Sequence, residues 1–454
     1  MTIIRNTFVL ICVFVLSTAC ATVQENQAFS NWNEEALKWN RTDEENVHLP
    51  ELDENASLDV YVLYAMLNNP GLRAAFDRWK AALDQVGPAQ TLPDPRFSYA
   101  NYIREVETRV GAQEHKFGLA QTFPWFGKLG LQGDIALQAA YAEQQRYEAA
   151  KLDLIYRVKN IYYEYSYLAD AITITKDNVT LLTYLEGVAR TKYKSGAGLQ
   201  SAVIKAQLEL GKLEDRLHSL QDLIKPMMTK LNMALNRPSN LSLPMPKGLP
   251  HEKPAFFDDD LLSFLHENNP NLKAFDYMTA REDLAIQLAD KNHFPDMTLG
   301  VDYIYTASRT DANPVDNGKD PVVAMLSFNL PIWQQKYDDV TAEARARRHA
   351  VVNEKKEKEN LLIADLEVAL FGLRDADRKI DLYMDTLLPK AEQSLKVTEL
   401  AFTADKATFL DLIDSQRILL GFQLEHKRAL VDRAQRLAEI EMLTGGDMVQ
   451  KLPE

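Results

Sequence analysis

Asn68-Asn69-Pro70-Gly71-Leu72-Arg73 recurs as Asn268-Asn269-Pro270-Asn271-Leu272-Lys273, a little under half a chain later. Self-similarity in a fixed order marks a repeat architecture. Each copy follows a short apolar segment, Leu58 to Leu67 and Leu261 to Leu265. Each leads into a helix-like stretch that ends at a Pro-Asp pair, Pro93-Asp94 and Pro295-Asp296. Farther on, Thr122-Phe123-Pro124-Trp125 is answered by Asn329-Leu330-Pro331-Ile332-Trp333. Tyr193-Lys194-Ser195-Gly196 is answered by Phe402-Thr403-Ala404-Asp405, and Gln207 by Gln416. So many landmarks in one order make the chain a tandem duplication of roughly 200 residues. The repeats cover 57–235 and 258–446, with a Pro- and Leu-rich linker at 236–257 and a short tail at 447–454.

After each Pro-Asp pair the sequence alternates with period two, the mark of a strand with two unlike faces. Phe97, Tyr99 and Ile103 alternate with Ser98, Ala100 and Arg104, and Phe117, Leu119 and Phe123 with Lys116, Gly118 and Ala120. Met297, Leu299, Val301, Tyr303 and Tyr305 form the third stripe, and Val322, Ala324, Leu326, Phe328 and Leu330 the fourth. Strands are expected at about 95–105, 115–124, 296–306 and 321–331. Each is long enough to cross a bilayer at a tilt. Polar Glu105 to Glu114 and Ser308 to Pro321 are expected to join them as exposed loops. Two hairpins packed on a soluble core would give the same alternation.

The period then becomes helical, in hairpins expected at 127–235 and 334–446. Gly127 to Lys194 contains no proline, and Gln334 to Phe402 contains only Pro389. Each long helix would span roughly 100 Å at ~1.5 Å per residue. Leu366, Leu373, Ile380 and Leu387 form one row, and Leu362, Ala369, Ala376 and Tyr383 its companion, which predicts a coiled-coil seam. Pro389 is expected to kink its helix or mark a local adjustment, and Pro226 to kink a return helix. Polar turns at Ser195 to Gly198 and Thr403 to Ala407 precede the shorter return helices.

The N-terminus reads as a secretion signal over 1–19. Arg5 precedes nine apolar residues, Phe8 to Leu16, too few to span a bilayer as a helix. Ser17-Thr18-Ala19-Cys20 then resembles a bacterial lipobox, with Cys20 as the lipidated first residue of a segment reaching to 56. Ser17 stands where the motif prefers leucine, so cleavage without lipidation is the competing reading. Ala21, rather than aspartate, fits the sorting pattern for the outer membrane. Cys12 lies in the signal, so the mature chain would hold one thiol and no intrachain disulfide.

The 454 residues are 46% apolar with only 18 Gly and 19 Pro, which suits long regular elements. A formal net charge of −14 argues against a nucleic-acid partner. It is compatible with cationic cargo or with solubility alone. The eight histidines show no paired ligand spacing, so no metal site is assigned. Met227, Met228 and Met233 read as packing residues. No phosphate-binding loop, dinucleotide fingerprint or nucleophile motif is present, so no catalytic residue and no cofactor are assigned.

Four membrane strands cannot close a barrel alone, because two open edges would face lipid. Several copies are required, and the physics allows two or three.

The whole mature chain resembles the TolC outer-membrane efflux protein family, in its lipoprotein form. The resemblance rests on the duplicated Asn-Pro-x-Leu helix start, the strand pairs, the turn at Phe123 to Lys128 and the helical hairpins, over residues 55–446. It implies a mainly α fold with membrane β: a homotrimer with one twelve-stranded barrel, four strands per chain, on a long periplasmic α-helical barrel. The linker and chain ends would be equatorial. It implies a passive channel rather than an enzyme, with a periplasmic adaptor and an inner-membrane pump as partners. The segment around Gln121 to Lys128 looks closest to the branch serving heavy-metal resistance-nodulation-division pumps. Drug efflux and type I secretion use the same architecture. A lipid-anchored periplasmic scaffold that never spans the membrane is the structural alternative. Aromatic residues at strand ends, including Tyr99, Phe123, Tyr305 and Trp333, favour the barrel.

Asp411 and Asp414 lie three apart, hence on one helix face. The resemblance implies carboxylate rings here that select cations at the periplasmic entrance; a solvated helix face is the plain alternative. The first repeat has Ala202 and Lys205 instead. Phe402 and Tyr193 mark helix ends where the family has a residue that holds the entrance closed, or they are packing residues. Ser195, Gly196, Gly198, Asp405 and Lys406 at the hairpin tips are candidate adaptor contacts.

Overall fold

The computed structural model describes residues 23–43, 49–246 and 258–446. Cys20, the signal segment, the C-terminal tail and the second half of the linker lie outside the described residues. The elements are α1 (Val23–Asp43), α2 (Leu58–Asn68), α3 (Pro70–Asp84), α4 (Val86–Gln90), β1 (Arg96–Thr108), β2 (Gly111–Phe123), α5 (Lys128–Lys194), α6 (Gln200–Asp222) and α7 (Ile224–Ala234). After the linker come α8 (Asp258–Asn268), α9 (Pro270–Lys291), β3 (Met297–Thr306), β4 (Val322–Phe328) and α10 (Gln334–Leu382). A π-helical turn (Tyr383–Leu387), α11 (Leu388–Thr403) and α12 (Phe409–Thr444) complete the chain. They divide into two units: 23–35, 77–145 and 273–356 form one, and the remaining described residues the other.

In the first unit the strands form one antiparallel sheet in the order β1-β2-β3-β4. Alternation and register agree across it. Phe97 pairs with Leu119, Leu119 with Val301, and Val301 with Ala324. Tyr99 pairs with Phe117, Phe117 with Tyr303, and Tyr303 with Val322. One face is therefore apolar and aromatic on every strand. It is uncovered: Phe97 is 67% exposed and Leu326 57%. The other face is mostly small and polar on β1 to β3, with Ile304, Val323 and Met325 among its residues. There Lys116 Nζ lies 2.7 Å from Asp302 Oδ2, and the hydroxyls of Thr122 and Thr298 are 2.9 Å apart. Gly118 makes room for this face, since a Cβ there would lie 2.5 Å from both Asp302 Oδ1 and Ser98 Oγ.

The strands differ from the sequence expectation in extent. β1 and β2 run on through the expected loop at 105–114 and turn only at Arg109 and Val110. A bulge between Asn101 and Val106 absorbs the polar residues that look like a loop. β4 stops at Phe328 rather than 331, as Leu330 and Pro331 leave the sheet. No described helix is long and apolar enough to cross a membrane.

The landmarks below the sheet are structural. Asp296 Oδ1 accepts from the Trp125 N–H at 2.8 Å and from Lys128 Nζ at 2.9 Å. The Trp125 and Phe294 rings stack at 5.2 Å. Lys128 is buried, so its pairing with Asp296 is what makes that burial tolerable. Helix α1, not foreseen in the sequence, packs here through residues 23–35. Tyr141 Oη donates to the Gln24 carbonyl, and Lys80 Nζ sits 4.5 Å from the Trp32 ring centre.

The second unit explains the repeated asparagines. Asn69 Oδ1 accepts from the N–H groups of Gly71 and Leu72 at 2.9 and 3.1 Å, and Asn269 Oδ1 from those of Asn271 and Leu272 at 2.8 and 3.3 Å. Each caps the helix whose first residue is the following proline, where no N–H is needed. Each amide also donates to the end of a return helix, Asn69 to Ala234 O and Asn269 to Leu443 O.

The expected seam is buried at Leu362, Leu366, Ala369, Leu373, Ala376 and Ile380. Leu362, Leu366 and Leu373 meet Leu261, Leu265, Leu272, Ile440 and Leu443. At Tyr383 and Leu387 the rows leave the core, because the π-helical turn shifts the register. The disturbance attributed to Pro389 thus sits one turn earlier, and Pro389 stands in the first turn of α11. The same holds for Pro226: α6 ends at Asp222, and the proline lies in the first turn of α7.

Candidate channel entrance

Two turns lie between α5 and α6 and between α11 and α12, and they are built alike. Gly196 and Asp405 hold φ of 76° and 57°. The Ala197 N–H donates to Lys192 O at 2.9 Å, and the Lys406 N–H to Ala401 O at 2.8 Å. These are the closures of a helix C-terminus whose next residue is left-handed. Glycine meets that conformation freely, and aspartate is among the few other residues that tolerate it.

The turns are joined to each other. Lys192 Nζ lies 2.5 Å from both Phe402 O and Asp405 Oδ1, and 4.8 Å from the centre of the Phe402 ring. Phe402 is buried and meets Phe409 edge-on at 5.5 Å. Both belong to a core with Leu185, Val203, Leu412 and Leu420. Tyr193, at the equivalent place, is 43% exposed. Ser195, Gly196, Asp405 and Lys406 are exposed and Gly198 half-buried.

Asp411 has a local task. Its carboxylate accepts from the Thr408 N–H at 2.8 Å and the Thr408 hydroxyl at 2.7 Å, while its own N–H donates to Thr408 Oγ1. This is a capping box with aspartate at the third position. The Thr408 hydroxyl, and after it the Thr408 N–H, hold the Asp411 carboxyl below the usual carboxylate range. Asp414 is exposed. With Leu410, Asp411, Arg417, Lys205 and Lys212, it lines an open groove of about 410 Å³. Arg417 Nε donates to Glu209 Oε2 at 3.1 Å, and Arg417 chiefly holds the Glu209 carboxyl low.

The sequence reading missed Lys192, Glu209 and Arg417. It also left Gln207 and Gln416 without a role. Gln207 Nε2 donates to Glu186 Oε1 at 3.1 Å, and Gln416 Nε2 to Asn178 Oδ1 at 2.9 Å. Asn178 in turn donates to Gln423 Oε1. The recurrence of a glutamine at one repeat position was the available signal.

The family model described as "Outer membrane efflux protein" matches residues 64–236 and 261–446. The chain belongs to that family. The two matched segments correspond to the two halves of the duplication, and the family is one of outer-membrane efflux channels. Among relatives of this outer membrane efflux protein, the "Toxin and drug export protein A" of Aggregatibacter actinomycetemcomitans is 26% identical over 265 residues, 55% of this chain and 56% of that protein. The "Cobalt-zinc-cadmium resistance protein CzcC" of Cupriavidus metallidurans is 24% identical over 191 residues, 41% of this chain and 42% of that one. The chain thus spans about half the length of these two relatives. The crystal structure of the outer membrane protein VceC from Vibrio cholerae matches with a TM-score of 0.71 at 17% identity, over 86% of this chain and 96% of that chain. At that identity the likeness is one of fold: the mainly helical chain with a small sheet that the resemblance implied.

Proposed function

We propose that three copies of this chain close a twelve-stranded barrel in the outer membrane, on a long periplasmic helical barrel. The assembly passively conducts substrate delivered by an inner-membrane pump of the resistance-nodulation-division type, through a periplasmic adaptor. The observation that carries this reading is the sheet. Its apolar face is continuous across four strands and uncovered, and both of its edges are open. Lipid satisfies the first condition and neighbouring copies the second. Cys20 anchors the chain to the outer membrane by lipid, and the hairpin tips meet the adaptor.

Asp414, with Asp411, forms an acidic ring at the periplasmic entrance that favours cations. The exposed carboxylate of Asp414 supports this; Asp411 shares its charge with the cap of α12. Phe402 and Tyr193 belong to the closed entrance. Metal cations or drugs are the cargo. Similarity to a cobalt-zinc-cadmium resistance protein supports the former, and similarity to a toxin and drug export protein supports both drugs and a second reading, type I secretion.

Single-channel recording of the purified protein in a planar bilayer, with native gels, tests the reading. Defined cation-selective conductance from a trimer is expected. Absence of conductance from folded protein, even with Asp411 and Asp414 neutralised, would establish the non-spanning periplasmic scaffold instead.

A further inference from the structure

The second unit holds an open cavity in which neither the sheet nor the hairpin turns take part. Its volume is about 270 Å³. Asp53, Glu54 and Ser57 border it where the chain enters α2, Tyr162 borders it from α5, and residues 244–246 from the start of the linker. Tyr165 Oη donates to the Leu243 carbonyl at 3.3 Å, which ties the linker segment to α5. Tyr61 completes the lining and meets Tyr162 edge-on, with ring centres 5.2 Å apart.

The polar groups of this lining lack partners. Tyr61 is 2% exposed and Tyr162 8%, yet neither hydroxyl makes a hydrogen bond to a described residue. Ser57 stands immediately before α2 in extended conformation, where a serine ordinarily caps the helix, but its side chain makes no capping bond. Asp53 Oδ1 accepts from the Asn55 N–H at 2.9 Å, and its second oxygen makes no hydrogen bond to a described residue. Burial pushes the Tyr61 hydroxyl up to about 12, with Tyr162, Tyr165 and Asp53 adding to the rise and Arg237 opposing it. Tyr61 is therefore neutral at ordinary pH and can accept as well as donate. Native proteins rarely leave so many shielded polar groups unmatched.

Both ionisable acids or bases on the lining besides the tyrosines, Asp53 and Glu54, are carboxylates, so the matching ligand is a cation. Arg237 is not on the lining; its guanidinium lies 5.7 Å from the Tyr64 ring centre. Among the described residues no group of His, Cys, Asp and Glu could hold a metal ion. The volume is close to the lower end of small-molecule pockets, ~300 Å³. Residues 244–246 read Pro-Met-Pro, an apolar wall opposite the acids. We infer that this cavity binds a small alkylammonium ion, its head group among Asp53, Ser57 and Tyr61 and its stem along Pro244 to Pro246. A primary ammonium brings three N–H donors to the acceptors left open, and a quaternary ammonium brings none. The inference stands apart from the channel reading, because every residue in it belongs to the second unit and none to the sheet or the turns.

Saturation-transfer NMR on the purified full-length protein in deuterated detergent, with n-butylammonium chloride as the probe, tests it. Saturable binding is expected, with a dissociation constant in the millimolar range that so small a ligand permits. Asp53→Asn keeps an acceptor for the Asn55 N–H and removes the charge; it should weaken binding about tenfold. Ser57→Ala should weaken it about threefold. Tetramethylammonium should bind about tenfold more weakly than n-butylammonium. Glu51→Gln, off the lining, should bind as the unaltered protein does.

No saturable binding of n-butylammonium would overturn the site. Binding unaffected by both Asp53→Asn and Ser57→Ala, or weakened as much by Glu51→Gln, would overturn its location. Tetramethylammonium binding as tightly would overturn the ammonium class. Should Asp53→Asn fail to fold, as circular dichroism would show, Ser57→Ala and the comparison of the two probes on the unaltered protein still decide.

Discussion

Lys192 and Asp405 hold the two hairpin turns together, their charged atoms 2.5 Å apart across the repeats. Lys192 is mostly shielded, while Asp405 is largely open to solvent. The same ammonium bonds the Phe402 carbonyl, so one side chain fixes both the turn and the helix end before it. Lys192→Met keeps the stem and removes both bonds. If the turns lie at the entrance, recordings should show higher open probability at rest. Asp405→Asn should raise it less, because the Phe402 carbonyl remains. Unchanged recordings for both would separate the clasp from the entrance.

Asn269 is buried, and its side chain serves two helices at once. Asn269→Ala should destabilise the protein by about 1–3 kcal/mol, from the lost cap and the unpartnered Leu443 carbonyl. Asn69→Ala should behave alike, since its bonds are the same. Thermal unfolding followed by circular dichroism would read both; a fall for one and none for the other would contradict the equivalence.

Asp411 gives a pH dependence whose sign follows from its cap. Its carboxyl titrates lower in the folded protein than in the unfolded chain. The stabilisation is therefore complete above the ordinary aspartate value of about 3.9. It disappears as pH falls through the lowered folded value. Protection factors of the amides at the start of α12, corrected for the intrinsic pH dependence of exchange, should be constant between pH 5 and 8. Protection should fall only under more acidic conditions, and Asp411→Asn should flatten that fall. Loss of protection near pH 6 would require another group.

Lys116 and Asp302 face each other on the mostly small and polar side of the sheet. In the proposed barrel the pair would leave no net charge at its level. Asp302→Asn should leave a ring of lysines and shift permeability toward anions, roughly twofold to fivefold. Lys116→Met should shift it toward cations by a similar factor. Reversal potentials in a salt gradient measure both; no shift in either variant would place this face outside the conducting path.

Much of this was legible in the sequence. Paired asparagines, prolines and a tryptophan in fixed order reveal a duplication, and period-two stripes locate the strands. What escaped has physical causes. Glu105 and Glu107 are polar, yet they lie in strand β1, where a bulge and a tight turn accommodate them. Helix α1 carries no strong apolar stripe, so its contacts with Tyr141 and Lys80 could be found only in three dimensions. Asp411 could be read as a face residue from its spacing to Asp414; that Thr408 stands three residues before it was the overlooked capping signal. The Lys192 clasp joins residues more than two hundred positions apart, and nothing local announces it.

The duplication is imperfect in one consistent way. Asp411, Asp414 and Thr408 face Ala202, Lys205 and Leu199 in the other repeat, and Lys116 and Asp302 correspond to Val323 and Ala100. Six identical half-chains could close the same wall, but every charge would then appear six times around it. In the proposed trimer, two fused and diverged halves would let charge alternate with its absence around the ring. Lowering the symmetry from six to three in that trimer would thus give a way to adjust spacing between like charges without altering the backbone that carries them.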